Sequence, residues 1–329
     1  MRRETQNQQV FYVCRLPSAW FYTFAVCHLP SAMSDRDGSR VFRVTGENLS
    51  AISCDAVLRQ FAQFMAERRQ DNIVLDLSGL TFVDPYGMGM LCLIARHLSR
   101  TFWDITCRMP DSEAVRSYLS RMNVLSTLEQ FSSFEGEAAP LRPAAWNEGL
   151  LEVTPIARRD DVESVLRLIG QRVSAILAEE LNYKDREIAA FKNVVAELCH
   201  NVLDHSFDRG YVAAQRYVDQ RRGRKFAIIG VGDLGIGIRE SLAVRYDVSA
   251  WTHAMAITNA VRKQFSRDPT RGLGLYVVQR ICHEYGGGLH IRSGDARVYI
   301  RGRSFYRNET APFPGTQVSI TLYQADAGR

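Results

Sequence analysis

The stretch AELCHNVLDHS, Ala196–Ser206, sets a carboxylate, an amide and an imidazole four residues apart, at Glu197, Asn201 and His205. On a helix such residues line up along one flank. Here the flank borders an apolar stripe, Ile188, Phe191, Val195, Leu198 and Val202, with Glu187 on the same face. Glu197 and Asn201 fall roughly 80–120° from its centre. A buried polar group without a partner costs about 1–3 kcal/mol, so the pair belongs either to a solvated flank or to a site. His200 points nearly opposite the stripe, toward solvent.

Two further stretches carry chemistry. FAIIGVGDLGIGI is an apolar strand that ends in Asp233 and turns through Gly235 and Gly237. A carboxylate there can accept from an exocyclic amine, and the glycines let a ligand approach the backbone. In TRGLGLYVVQR, Gly272 and Gly274 open a helix whose free N–H groups and positive dipole end suit phosphate oxygens.

These residues need a scaffold. With 329 residues, 46% of them hydrophobic, the chain is long for one compact domain and sufficient for two cores. A net charge of +5, spread along the sequence, gives no argument for nucleic acid. Cys14, Cys27, Cys54, Cys92, Cys107, Cys199 and Cys282 form an odd set without a CxxC pair and read as reduced core residues of a cytoplasmic protein. No stretch is long and apolar enough for a membrane span. Residues 1–39 read as a disordered leader, or as coding upstream of a start at Met33.

From 40 to 131 short β-like runs alternate with helical ones, which predicts a small α/β domain: RVFRVTG, NIVLDLSG and WDITCRM as strands, and ISCDAVLRQFAQFMAERR, YGMGMLCLIARHLS and SEAVRSYLSRM as helices. Residues 132–155 lose periodicity and read as the linker. Residues 156–325 begin with two helical patterns, Asp160–Leu181 and Lys184–His205. Two strands joined by a basic turn follow, then the glycine-entered helix and three β-like runs, GLHIRSG, ARVYIRG and GTQVSITLYQ. The economical arrangement is an α/β sandwich with helices on one side of a mixed sheet.

The order Glu-x3-Asn on a helix, Asp-x-Gly-x-Gly after a strand, Gly-Leu-Gly-Leu opening a helix, and Gly315-Thr316 in a late strand resembles the GHKL nucleotide-binding superfamily of gyrases, mismatch-repair ATPases, sensor histidine kinases and anti-sigma serine kinases. The resemblance implies ATP and Mg2+ as cofactors. It makes Asn201 the metal ligand, Glu197 the general base, and Asp233 the acceptor of the adenine amine. Gly235 and Gly237 would close over base and sugar, Arg271, Gly272, Leu273, Gly274 and Leu275 would wrap the phosphates, and Thr316 would lie behind the adenine. His205 matches a position that contacts phosphate in some relatives, and a packed histidine is the other reading. Arg239–Arg271 corresponds to the ATP lid, with Lys263, Arg267 and Arg271 as cations for the γ-phosphate and Thr270 where many relatives have glycine.

In the first half, NIVLDLSGLTFVDPYGMGMLCLIARHL resembles the STAS domain of anti-anti-sigma factors, whose phosphoacceptor lies in an Asp-Ser-Ser/Thr-Gly turn. Here the turn is Asp84-Pro85-Tyr86-Gly87, so the usual hydroxyl is missing and Tyr86 is expected to pack at a helix N-terminus. No histidine lies between His97 and His200, which disfavours a histidine autokinase. Two activities remain: phosphorylation of a protein Ser/Thr in the manner of anti-sigma kinases, or an ATP-gated interaction switch or slow ATPase. Either implies a protein partner, such as a STAS-domain or sigma-factor-like regulator. The STAS-like half would dock that partner or cover the active site, and the helix from Asp160 could cover the sheet or pair with a second copy. The basic turn QRYVDQRRGRK is the one nucleic-acid candidate, and a solvated hairpin tip is its plainer reading.

Overall fold

The structure is a computed structural model and describes residues 39–67, 72–136, 150–158, 162–205, 208–262 and 274–325. The leader lies outside these residues, apart from Ser39. The first domain runs β1 (Arg40–Arg43), β2 (Asn48–Leu49), α1 (Cys54–Ala66), β3 (Ile73–Asp76), β4 (Phe82–Val83), α2 (Pro85–Ser99), β5 (Ile105–Arg108), α3 (Glu113–Arg121), α4 (Val124–Leu128) and β6 (Ser133–Phe134). Its main sheet has the order β1-β3-β5-β6, with every ladder parallel. Helix α2 starts where it does because Asp84 caps it, accepting the Gly87 N–H at 2.8 Å, and because Pro85 fits the first turn, where no N–H is needed. The short α4 follows Asn123, which takes the left-handed conformation (φ 59°), and has no counterpart in the sequence reading.

The second domain runs β7 (Leu150–Ile156), α5 (Val162–Ala175) continued by one π-helical turn at Ile176–Glu180, α6 (Asp185–His205), β8 (Gly210–Asp219), β9 (Arg224–Gly232), α7 (Ile238–Leu242), α8 (His253–Ala260), α9 (Gly274–Glu284), β10 (Gly288–Arg301) and β11 (Ser304–Tyr323). The stretch read as linker thus holds β6 and most of β7 at its ends, and residues 137–149 lie outside those described. The sheet order is β10-β11-β9-β8-β7.

Two expectations change here. All ladders of this sheet are antiparallel rather than mixed. Its neighbours β8–β9 and β10–β11 are hairpins with short turns at Gly223 and Gly302 (both φ 59°), and such turns join only antiparallel strands. The last three β-like runs form two strands, because GLHIRSG and ARVYIRG are one bulged strand, β10. The bulge falls at Ser293–Ala296, where Gly294 has φ 61° and a Cβ would collide with the His253 ring.

One face of the antiparallel sheet packs on its own helices. Phe191, Val195, Leu198 and Val202 of α6, with Val278 and Cys282 of α9, share a core with Ile229 and Val231 of β9 and Val318 and Ile320 of β11. The other face is covered by α1 and α2 of the first domain, so helices stand on both sides of the sheet. Tyr211 and Ala213 of β8 and Phe313 of β11 belong to the same core as Phe61 of α1 and Met90, Leu91 and Leu93 of α2. Helix α2 is apolar almost all round because it lies between two sheets.

Polar contacts cross the same interface. Asp55 of α1 pairs with Arg292 (2.6 Å) and Arg297 (2.7 Å) of β10. Arg96 of α2 grips Asp208, just after α6, through two bonds of 2.9 and 3.1 Å. Cys54, Cys92, Cys107, Cys199 and Cys282 are buried free thiols.

Arg292 is 0% exposed, so Asp55→Ala would strand its charge between the domains. The expected cost is about 3–5 kcal/mol, measured by urea unfolding of the full chain. A loss below about 1 kcal/mol, the range of a solvated pair, would contradict a buried bridge.

Candidate functional site

Helix α6 carries Glu197 and Asn201 on the helix-covered side of the antiparallel sheet. Its stripe approaches the sheet closely, because Gly210 has no Cβ: one there would lie 2.4 Å from Val202 Cγ1. Glu197 is half-buried and Asn201 exposed, the border position that the helical spacing predicts. His200 is half-buried rather than exposed, with Nδ1 2.8 Å from the Ala196 carbonyl oxygen one turn back. The His205 side chain lies outside the described residues.

The strand-end residues form one cluster. In β9, Ala227, Ile229 and Val231 face the helices, and Asp233 continues that alternation just past the strand. Asp233 is 7% exposed and accepts the Gly235 N–H at 2.6 Å. Burial pushes its carboxyl up to about 7, against the weaker pull of bonds from the Gly235 and Thr316 backbone. A carboxylate offers about four acceptor positions, so acceptor capacity remains for a ligand's donor. Gly315 (φ 81°) passes so near that a Cβ would lie 2.1 Å from the Asp233 carbonyl oxygen. At Gly237 (φ 83°) a Cβ would lie 2.8 Å from Ser293 Oγ. Thr316 is half-buried, and its carbonyl accepts the Asp233 N–H at 3.0 Å. The structure therefore brings Asp233, Gly235, Gly237 and Thr316 together.

Two residues that brace this cluster, one from each side of the sheet, escaped the sequence reading. Ser293, on β10, accepts the Ile238 N–H at 2.9 Å and donates to the Gly315 carbonyl at 3.0 Å, tying both glycine turns to one strand. Gln317 donates from Nε2 to the carbonyls of Asp233 (2.9 Å) and Pro314 (2.8 Å). A serine before glycine inside an apolar strand was the available signal for Ser293. GTQVSITL held none for Gln317.

Helix α9 begins at Gly274, and half-buried Leu275 packs against the helix-side core. Lys263, Arg267, Thr270, Arg271, Gly272 and Leu273 lie outside the described residues. The segment expected to form the lid, as far as residue 262, holds most of α7 and all of α8, with a small core of Leu242, Val248 and Ala256. His253 of α8 meets Asp295 at 2.6 Å and pins that helix to the β10 bulge.

Several other expectations are resolved. In the basic turn, Arg216 and Lys225 pair with Glu180 and Arg224 donates to the Gln324 carbonyl, while Arg222, 3.9 Å from Asp219, and Arg221 are exposed. Tyr86 is 3% exposed, packed at the start of α2 as expected. Among the described residues the first domain does not cover the face that carries α6, since its helices lie on the opposite face. Among the described residues no group of three or more His, Cys, Asp or Glu could hold a metal, and no helix is long and apolar enough to cross a membrane. The oxygen of Asn201 suits a hard cation that keeps most of its waters, so the donors present fit magnesium held chiefly by nucleotide phosphates.

Residues 187–325 match the family of histidine kinase-, DNA gyrase B-, and HSP90-like ATPases, and residues 32–127 match the STAS domain. No curated protein matches the chain. The Asp233 cluster and all but the first two residues of α6 fall inside the first match and the capped turn of α2 inside the second, and the chain is accordingly a STAS domain joined to an ATPase domain of the histidine kinase, gyrase B and HSP90 type, an ATP-binding regulatory protein.

Proposed function

We propose that the ATPase-type domain binds ATP with magnesium and transfers the γ-phosphoryl group to a serine or threonine of a separate protein, in the manner of anti-sigma kinases. The observation that carries this reading is the division of the sheet's two faces. Glu197 and Asn201 stand on the face that the STAS domain leaves uncovered, while that domain's own acceptor turn, Asp84–Gly87, is buried against the other face and has no Ser or Thr hydroxyl. In this reading the substrate hydroxyl comes from another chain.

In this reading Asp233 accepts from the adenine amine, and the glycine turns at 235–237 and 315–316 admit the base. Asn201 would hold the magnesium, which neutralises charge on the phosphates. Glu197 takes the proton of the attacking hydroxyl as its oxygen bonds to the γ-phosphorus. The bond from that phosphorus to the β,γ-bridging oxygen breaks, and ADP leaves with the electron pair. The backbone N–H groups at the start of α9 would serve the phosphates, and Lys263, Arg267 and Arg271, outside the described residues, would balance the transferring group.

A second reading, an ATP-gated interaction switch, draws on the shared core. Because α1 and α2 pack on the back of the nucleotide sheet, nucleotide state would reach the STAS surface through that sheet.

Incubation with magnesium and γ-labelled ATP in cell extract separates the two. Label on an extract protein, reduced about 10²–10⁴-fold by Glu197→Gln, is expected of the kinase. Label found only as slow free phosphate, or remaining on bound ATP, would favour the switch.

Asp233 gives a prediction with a sign. Its folded carboxyl titrates near 7, above the unfolded value of about 3.9, so the folded state takes up the proton first. Stability from this group is therefore present at low pH and lost as pH rises from about 4 to about 7. Asp233→Asn, which keeps the acceptor oxygen, should raise the unfolding midpoint at about pH 8 and much less at about pH 5, while weakening ATP binding about tenfold. An equal change in midpoint at both pH values would contradict the raised carboxyl.

A further inference from the structure

The buried amide of Gln317 lies on the side of the sheet away from the nucleotide cluster, yet it bonds to that cluster's backbone. Its Nε2 donates to the carbonyls of Asp233 and Pro314, which precede the two glycine turns. Both partners are acceptors only, so the orientation of the amide is fixed. Gln317 is 1% exposed, and its Oε1 is buried without a partner. A methionine would fill the same space without an unsatisfied oxygen, so packing alone gives no reason for an amide here. What the amide supplies is a fixed distance between two turns already in contact, since Gly315 leaves no room for a Cβ beside the Asp233 carbonyl.

The STAS domain packs against the stem that carries this amide. A Cβ at Gly232 would meet Leu93 Cδ1 of α2 at 3.0 Å and Gln317 Cγ at 3.2 Å, so the leucine and the glutamine stem pack side by side over Gly232. Displacing α2 would open that side of the Gln317 stem to water and give its amide alternative partners.

We infer that Gln317 is a positioning residue through which the docked STAS domain holds Asp233 in register with the adenine edge. The inference rests on the reading of Asp233 as the acceptor of the adenine amine. It makes base discrimination a property of the two-domain unit, with Leu93 as the contact on the STAS side.

The test is calorimetric titration of the full chain with ATP and with inosine triphosphate, both with magnesium, at about pH 8, where Asp233 is ionised. Inosine carries a carbonyl in place of the amine and so sets an acceptor against the carboxylate. The wild-type chain is expected to prefer ATP by about tenfold or more, and Gln317→Met to reduce that preference to within about threefold by losing ATP affinity while affinity for inosine triphosphate holds. General destabilisation would weaken both nucleotides together and leave the ratio unmoved. Leu93→Ala, which keeps the amide, is expected to lower the preference in part, and it serves if Gln317→Met does not fold. Full preference in Gln317→Met overturns the inference alone, and full preference in Leu93→Ala overturns the link to the STAS domain. A wild-type chain with no preference overturns the reading of Asp233, and the inference with it.

Discussion

The close approach of α2 to the antiparallel sheet at Gly230 is the contact on which the architecture depends. A Cβ at that position would lie 2.7 Å from the backbone N and Cα of Tyr86, inside any allowed contact. With hydrogen there instead, the first turn of α2 rests directly on β9. The helix can then bury its second apolar side, Met90, Leu91 and Leu93, in a core shared by both domains. At roughly 25 cal/mol per Å2 of apolar surface, each such side chain contributes about 1.5–3 kcal/mol. Contacts of that size outweigh the solvated ion pairs of the rim, each worth about 0–1 kcal/mol.

The same interface buries polar groups that do not help it. The Tyr86 hydroxyl and both ring nitrogens of His290 are buried without partners, with the two rings 5.7 Å apart edge to face. Burial, with Arg297 and Arg292 nearby, pushes His290 down to about 3, so it is neutral at any ordinary pH. The Asp84 carboxyl is raised to about 7 by burial even though it caps α2. Apolar packing and the Asp55 bridge to Arg292 and Arg297 therefore carry the docking, against a polar cost concentrated at the start of α2. In consequence the turn that holds the phosphoacceptor in anti-anti-sigma factors serves here as a packing element.

Much of this was legible in the sequence, and the limits were physical. The α6 stripe with Glu197 and Asn201 on its border follows from helical spacing, and the Asp233 strand end with its glycines follows from strand alternation and turn chemistry. Alternation tells which residues share a face of β9 and β11 but not what covers that face. Gly230 and Gly232 lie directly under Tyr86 and Leu93 of α2, a contact that no strand pattern reveals. The all-round apolarity of YGMGMLCLIARHL was the overlooked signal, because a helix covering one sheet needs only one apolar side. The bulge in β10 was read as a break, since glycine marks bulges and turns alike. Gln317 had no local pattern to find, because its role comes from two carbonyls on separate turns.

The central claim is that nucleotide binds on one face of the antiparallel sheet while the STAS domain stays docked on the other. Amide hydrogen exchange of the full chain, with and without ATP and magnesium, tests it most directly. The account predicts new protection on nucleotide addition at Gly235–Ile238 and Gly315–Gln317, with the first turn of α2 slow to exchange in both states. Rapid exchange of that turn without nucleotide, or protection gained there and not at the glycine turns, would contradict it.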